Sequence, residues 1–142
     1  MDRRVFIRLG MVGAATGIIA PKIVLAGSLG EQINSNKMAG GLYYTKESPG
    51  RWASKAGSHS PLIEKTASGV QVVTSHPMDP GKHWIIKHVL LDKDFKFIAE
   101  NIFDPTKQKA AISDFSLAGQ TGAIYALSVC NLHDSWLTVI EV

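Results

Sequence analysis

Short apolar runs separated by turn residues fill the chain from about residue 40 onward. Apolar and polar positions alternate in Phe95–Ala99 and in Gly69–Val73, as they do in a strand with one buried face. Proline, glycine and aspartate interrupt the runs at places such as Ser48–Gly50 and Asp79–Gly81, where they favour turns. The pattern predicts seven strands: Leu42–Thr45, Val70–His76, Trp84–Leu91, Phe95–Ile102, Ala110–Phe115, Ala123–Cys130 and Trp136–Val142.

About seven short strands in roughly 100 residues predict an all-β fold, an immunoglobulin-like antiparallel β-sandwich. After residue 26 no segment keeps a helical period beyond about two turns, and the best helical candidate is Gly30–Met38. The 142 residues suffice for one domain with its own core and are few for two. We therefore expect a single β-domain over residues 40–142, preceded by an arm over residues 27–39.

Residues 1–26 have the features of a targeting segment. A charged start precedes a weakly apolar run, and Val24 and Ala26 are small enough for a signal peptidase to cleave after Ala26. The paired Arg3 and Arg4 resemble a twin-arginine export signal. The apolar run is shorter than the roughly 20 residues that a membrane span needs. We expect a periplasmic or otherwise exported protein without a membrane span after processing; the alternative is an uncleaved N-terminal helix or anchor.

The net positive charge lies in the same segment. The formal net charge is +3, and residues 1–26 hold four basic residues against one acidic residue, so residues 27–142 are neutral by the same count. A nucleic-acid-binding protein would need a basic face on its folded part, and none is indicated. The sequence also lacks a phosphate-binding loop, a Gly-x-Ser-x-Gly motif and a placed pair of carboxylates. Nuclease, serine hydrolase and glycosidase functions therefore have no support.

Five histidines and one cysteine carry the candidate chemistry. Cys130 is followed three positions later by His133, a spacing that chelates a transition metal. The single cysteine excludes an intramolecular disulfide and a site of four cysteines. His88 lies inside a predicted strand, and we expect a structural role for it. The other four histidines lie in turns or at strand ends, which cluster at the ends of a β-sandwich: His59, His76, His83 and His133.

The donor set, which is the four histidines and the one cysteine, limits which metal ion the site could hold. A structural zinc site takes four ligands, often several of them thiolates, and one cysteine with four histidines exceeds that number. A blue-copper site has an axial Met, and no Met follows His133. Four imidazoles and one thiolate would suit a five-coordinate iron with one open position, at which a small oxygen species could be reduced.

Three groups of residues occur in an order that a known family shares. They are Pro49–Trp52 with His59–Glu64, then His76–Met78 with His83–Ile85, and finally Cys130–Trp136. These groups resemble superoxide reductases of the single-iron neelaredoxin type, which are related to the iron domain of desulfoferrodoxin. The resemblance covers about residues 40–142. The lack of a four-cysteine rubredoxin-like domain fits the single-iron form.

The resemblance implies a mononuclear iron centre with four equatorial imidazoles and Cys130 as the axial thiolate. Its equatorial ligands would be His59, His76, His83 and His133. The sixth position, opposite the sulfur, would take superoxide, and the reaction would be O2⁻ + e⁻ + 2H⁺ → H2O2. The implied partner is an electron-donor protein, either rubredoxin-like or a periplasmic cytochrome, and relatives of this type commonly form homo-oligomers.

One segment departs from the family's pattern. A Glu-Lys pair usually precedes the first ligand histidine, whereas Gly57 and Ser58 precede His59 here. Lys55 is the nearest basic residue and is the candidate for the role of that lysine, which is to attract the anionic substrate. The departure leaves a second function open: a non-catalytic periplasmic iron protein, on the same scaffold, that transfers electrons or acts as a sensor.

Overall fold

The computed structural model describes residues 29–142, so the expected targeting segment lies outside the described residues. Seven strands are present: β1 Leu62–Lys65, β2 Gly69–Thr74, β3 Ile85–Leu91, β4 Phe97–Ile102, β5 Ala111–Ser116, β6 Ala123–Cys130 and β7 Ser135–Glu141. They form two antiparallel sheets, ordered β1-β2-β5 and β4-β3-β6-β7. The predicted immunoglobulin-like β-sandwich is confirmed. No helix among the described residues is long and apolar enough to cross a bilayer.

Alternating apolar positions of the two sheets meet in the core. Val70 and Val72 of β2 are fully buried and pack against Leu90 of β3 and Ile124 of β6. Alternation along a strand sends these side chains to one face, so the two inner faces close on each other. A second buried cluster, which contains Met78, Ile85, Phe103, Ala111 and Cys130, lies at the end of the sandwich where β6 finishes.

Within residues 29–142, three helical segments precede the first strand. Residues 29–34 are helical, and Ile33 packs with Tyr125 and Leu137 in a third cluster. A 3₁₀ helix over Gly50–Lys55 then leads directly into the helical turn Ala56–His59. These segments bring the chain to the end of the sandwich where the histidines lie.

Two predictions about individual strands are wrong. Leu42–Thr45 is not a strand: Tyr43 and Tyr44 form isolated bridges to Ala39 and Trp136, because the Gly40–Leu42 turn leaves no room for a longer ladder. The strand β1 was not predicted, since only Ile63 of its four residues is buried and a short edge strand of that kind shows no alternation.

The predicted start of the fourth strand is also wrong. Phe95 has a φ of 60° and belongs to a turn rather than to β4. The side chain of Asp92 accepts hydrogen bonds from the amides of Asp94 and Lys96. An aspartate that binds its own following amides stabilises a turn, and this turn delays the strand until Phe97.

Candidate metal centre

The five predicted ligand side chains come from four places in the chain and meet at one end of the sandwich. His59 ends the helical turn Ala56–His59, and His76 follows the end of β2 by two residues. His83 precedes β3 by two residues, Cys130 is the last residue of β6, and His133 lies in the turn before β7. The ligand atoms of four of them, all except His76, lie within 4.8 Å of one another.

Four nitrogen atoms, one from each of the four imidazoles, form a closed ring, and the nitrogen of His76 is one of its corners. His76 Nε2 is 3.0 Å from His59 Nε2 and 2.9 Å from His83 Nε2. His133 Nδ1 closes the ring, at 3.1 Å from His59 Nε2 and 3.0 Å from His83 Nε2. The centre of a square with sides of this length is about 2.1 Å from each corner, which is a metal–imidazole bond length.

The sulfur of Cys130 lies on one side of this ring. Cys130 Sγ is 3.2 Å from His83 Nε2, 3.7 Å from His133 Nδ1 and 3.8 Å from His76 Nε2. These three nitrogens are consecutive corners of the square, and no point in the plane of the square lies at all three of these distances from them. The sulfur is therefore an axial group, and five donor atoms surround one point.

Hydrogen bonds fix which nitrogen of His59 and of His76 faces the ring. His59 Nδ1 donates to the carbonyl oxygen of Lys55 at 3.1 Å, and His76 Nδ1 donates to the carbonyl oxygen of Pro77. A neutral imidazole has one N–H group, so the Nε2 atoms of both rings present lone pairs. Two lone pairs 3.0 Å apart repel each other unless a cation or a proton lies between them.

The electrostatics favour a cation over a proton. Burial, together with the neighbouring His76 and His133, lowers the pKa of His59 to about 4. Burial also lowers the pKa of His76, His83 and His133. The four rings are therefore neutral near pH 7, which is the form of imidazole that can bind a metal ion. The donor set of four neutral imidazoles and one sulfur fits a transition-metal ion.

The predicted catalytic residue lies beside this group. Lys55 ends the 3₁₀ helix and is half-buried. Its positive charge lowers the pKa of His76, His83 and His133 in addition to the effect of burial. Ala56, Gly57 and Ser58 lie between Lys55 and His59, whose Nδ1 is 3.1 Å from the carbonyl oxygen of Lys55.

His88 is not part of the ring. It is fully buried between the sheets, where Thr74 Oγ1 and Ser113 Oγ lie 2.9 Å from its Nε2 and Nδ1. The ring of Phe103 packs edge-on against it, with ring centres 5.0 Å apart. The structural role expected for this histidine agrees with these contacts.

Two further residues of the Cys130–Asp134 segment hold the loops that carry the other histidines. Asn131 Nδ2 donates to the carbonyl oxygen of Lys82, and Asn131 Oδ1 accepts from the amide of Trp84, so both neighbours of His83 are held. Asp134 Oδ2 accepts from Arg51 Nη2 at 2.7 Å and from Trp52 Nε1 at 2.8 Å.

The sequence alone did not reveal these two contacts. Asn131 and its partners, like Asp134 and its partners, are far apart in the chain, 49 and 83 positions in two of the pairs. Spacing along the chain signals a chelating turn, but it carries no signal for a hydrogen bond between distant loops. The motifs that carry the resemblance contain these residues, but the motifs do not indicate which residues contact one another.

Comparisons with known proteins agree with the fold. A family model described as desulfoferrodoxin matches residues 51–139, and no curated protein sequence matches the chain. The superoxide reductase (neelaredoxin) from Ignicoccus hospitalis is 25% identical, with a TM-score of 0.55, and the match covers 72% of this chain and 95% of that one. A variant of the same protein has a TM-score of 0.59 at 25% identity, covering 72% and 94%. The single-iron superoxide reductase from Giardia intestinalis, 20% identical over 60% of this chain and 98% of that one, has a TM-score of 0.50 and shares the fold.

Proposed function

This chain belongs to the desulfoferrodoxin family, and on that basis we propose that it is a mononuclear iron superoxide reductase. The observation that carries the proposal is the ring of four imidazole nitrogens with one sulfur on one side of it. The reaction is the one-electron reduction of superoxide, O2⁻ + e⁻ + 2H⁺ → H2O2. Solved structures of similar fold that are named superoxide reductases support the assignment.

The proposed iron ligands are the Nε2 atoms of three histidines, the Nδ1 atom of His133 and the Sγ atom of Cys130. Iron supplies one-electron transfer between its ferrous and ferric states. The carbonyl oxygens of Lys55 and Pro77 hold two of the rings in the orientation that presents Nε2. His83 and His133 are only half-buried, whereas His59 is 1% exposed. We infer that superoxide would reach the face of the ring that is opposite the sulfur.

The remaining parts of the proposal concern partners and location. A rubredoxin-like protein or a periplasmic cytochrome would supply the electron, and a homo-oligomer would match the family. Residues 1–26 would direct export by the twin-arginine route before removal. Replacing Arg3 and Arg4 with lysine should block export of a reporter fused to residues 1–30, and unimpaired export of that variant would contradict the twin-arginine route.

The proposal is tested by the products of superoxide consumption. Iron-loaded protein is supplied with superoxide and a reductant, and peroxide and dioxygen are measured together. A reductase yields one peroxide for each superoxide consumed and releases no dioxygen. A chain that binds iron but leaves superoxide decay at the uncatalysed rate would instead be the electron-transfer or sensor protein. A chain that takes up no iron would exclude both functions.

Replacing Lys55 with alanine is expected to lower the second-order rate with superoxide by about tenfold. The positive charge of Lys55 contributes to lowering the pKa of three of the four imidazoles, and a cation beside the centre would attract an anionic substrate. The dependence of the rate on salt should flatten at the same time, because salt screens this attraction. The contact between His59 and the backbone carbonyl oxygen of residue 55 does not need the lysine side chain.

The matched control is the replacement of Lys93 with alanine, which removes the same charge from the turn between β3 and β4. We expect this variant to keep the rate and the salt dependence of the original chain. Equal effects of the two substitutions would mean that net charge matters and that Lys55 has no specific role. Stopped-flow measurements at several ionic strengths would decide between these outcomes.

A further inference from the structure

A hydrogen-bonded cluster fastens the loop before His59 to the turn that carries Cys130 and His133. Its centre is a single oxygen, Asp134 Oδ2, which accepts from both Arg51 Nη2 and Trp52 Nε1. The guanidinium of Arg51 also lies over the Trp52 ring, 4.4 Å from its centre. An aspartate oxygen that accepts two donors from one loop holds that loop in both distance and direction.

The cluster touches the metal ligands on both of its sides. The ring of Trp52 packs edge-on against the imidazole of His133, with ring centres 4.7 Å apart. Arg51 and Trp52 lie in the 3₁₀ helix that runs directly into the helical turn ending at His59. The carbonyl oxygen of Asp134 accepts from the amide of Cys130. A shift of Asp134 would therefore be felt at His59, at His133 and at Cys130.

The backbone conformation of Asp134 favours glycine, which indicates that the carboxylate of Asp134 has a role of its own. Its φ is 62°, in the left-handed region that glycine adopts more readily than other residues. The fold of the turn alone would be served better by glycine. The aspartate contributes what glycine lacks, a carboxylate that reaches the loop on the far side of the centre.

We propose that Asp134 is a positioning residue that sets the distance between His59 and the Cys130–His133 pair and so prepares the nitrogen ring for the metal. Asn131 does the corresponding work for His83 through Lys82 and Trp84. The five-residue segment Cys130–Asp134 thus supplies two ligands and anchors the loops of two more. The inference rests on the proposed metal centre, but it does not depend on superoxide as the substrate.

Two substitutions at Asp134 distinguish the effect of its hydrogen-bonding oxygen from the effect of its negative charge. D134G removes the carboxylate without backbone cost, because glycine accepts this φ. D134N keeps an oxygen where Oδ2 lies and removes the charge, and asparagine tolerates the same backbone. The control, E100Q, alters a salt bridge of similar length, between Lys87 and Glu100 at 2.9 Å, on strands that pair away from the loop and the turn.

The measurements use the full chain before and after iron loading. We expect D134G to weaken the binding of ferrous iron by about tenfold, measured by competition with a chelator. It should also shift the red-region absorption band that a thiolate bound to ferric iron would give in the oxidised protein. Amide hydrogen exchange over residues 50–59 should be faster in iron-free D134G. D134N should recover most of the affinity and the band, and E100Q should match the original chain.

Other outcomes would overturn the inference. Unchanged affinity and unchanged exchange in D134G would show that the contact does not position the loop. Equal loss in E100Q and D134G would show general destabilisation. If the original chain bound no iron, the proposed function would fail while hydrogen exchange still tested the contact: faster exchange in D134G would support it, and unchanged exchange would exclude it.

Discussion

Replacing Cys130 with serine is expected to abolish the red-region absorption band of the oxidised iron protein and to lower superoxide reduction at least about 100-fold. The band would arise from electron transfer between a thiolate and ferric iron, and a serine hydroxyl cannot provide it. Cys130 Sγ lies on one side of the nitrogen ring, 3.2 Å from His83 Nε2. As a ligand, this thiolate would donate electron density to a bound iron, and a serine hydroxyl would donate less.

The matched control for this substitution is the replacement of Met78 with leucine. Met78 belongs to the same buried cluster as Cys130 and also carries sulfur, and leucine preserves its apolar volume at a cost below about 1.5 kcal/mol. This variant should keep both the band and the activity. A C130S protein that retained the band, with one iron per chain, would show that the sulfur is not a ligand.

The metal-free protein is expected to lose stability between pH 6.5 and pH 4 because of His88. Burial lowers the pKa of His88 from 6.5 to about 4, and no charged group contributes to this shift. As the pH falls below 6.5, the unfolded chain binds a proton at this histidine and the folded chain does not. The free energy of unfolding should fall by about 2 kcal/mol at pH 5 and by about 3 kcal/mol near pH 4 from this residue alone.

The contribution of His88 is isolated by comparing variants across the pH range. Denaturant unfolding of iron-free H88Q should show a decline with falling pH that is smaller by those amounts, whatever its stability at pH 7. T74V removes the hydroxyl that faces His88 Nε2 but leaves the imidazole buried, so it should lower stability at every pH and keep the slope. An H88Q protein with the slope of the original chain would contradict the prediction.

The fold was predictable wherever strands bury alternate residues. Val70 and Val72 in β2, and the buried positions of β5, show the period of two that defines such strands. The failures at Leu42–Thr45 and at β1 both concern segments at the edge of a sheet, where pairing with one neighbour decides the structure. Tyr44 pairs with Trp136, a partner that no local pattern could indicate.

The candidate site was predictable to the extent that its chemistry is local. The Cys-x-x-His turn and the positions of histidines at strand ends carried the donor set, and the structure brings those five side chains together. What holds them is not local. The contact of Arg51 with Asp134 spans 83 positions, and it exists because the 3₁₀ helix before β1 and the turn before β7 lie at the same end of the sandwich.

The residues around the proposed metal position come from both sheets, and this affects how long the protein would survive in a cell. His59 and His76 flank the three-stranded sheet, whereas His83, Cys130 and His133 belong to the four-stranded one. An ion in the ring joins the two sheets, and an ion at 100 times its dissociation constant stabilises the folded chain by about 2.7 kcal/mol. The unloaded chain therefore opens more often and is cut sooner by proteases, so the amount of protein in a cell would follow the supply of metal.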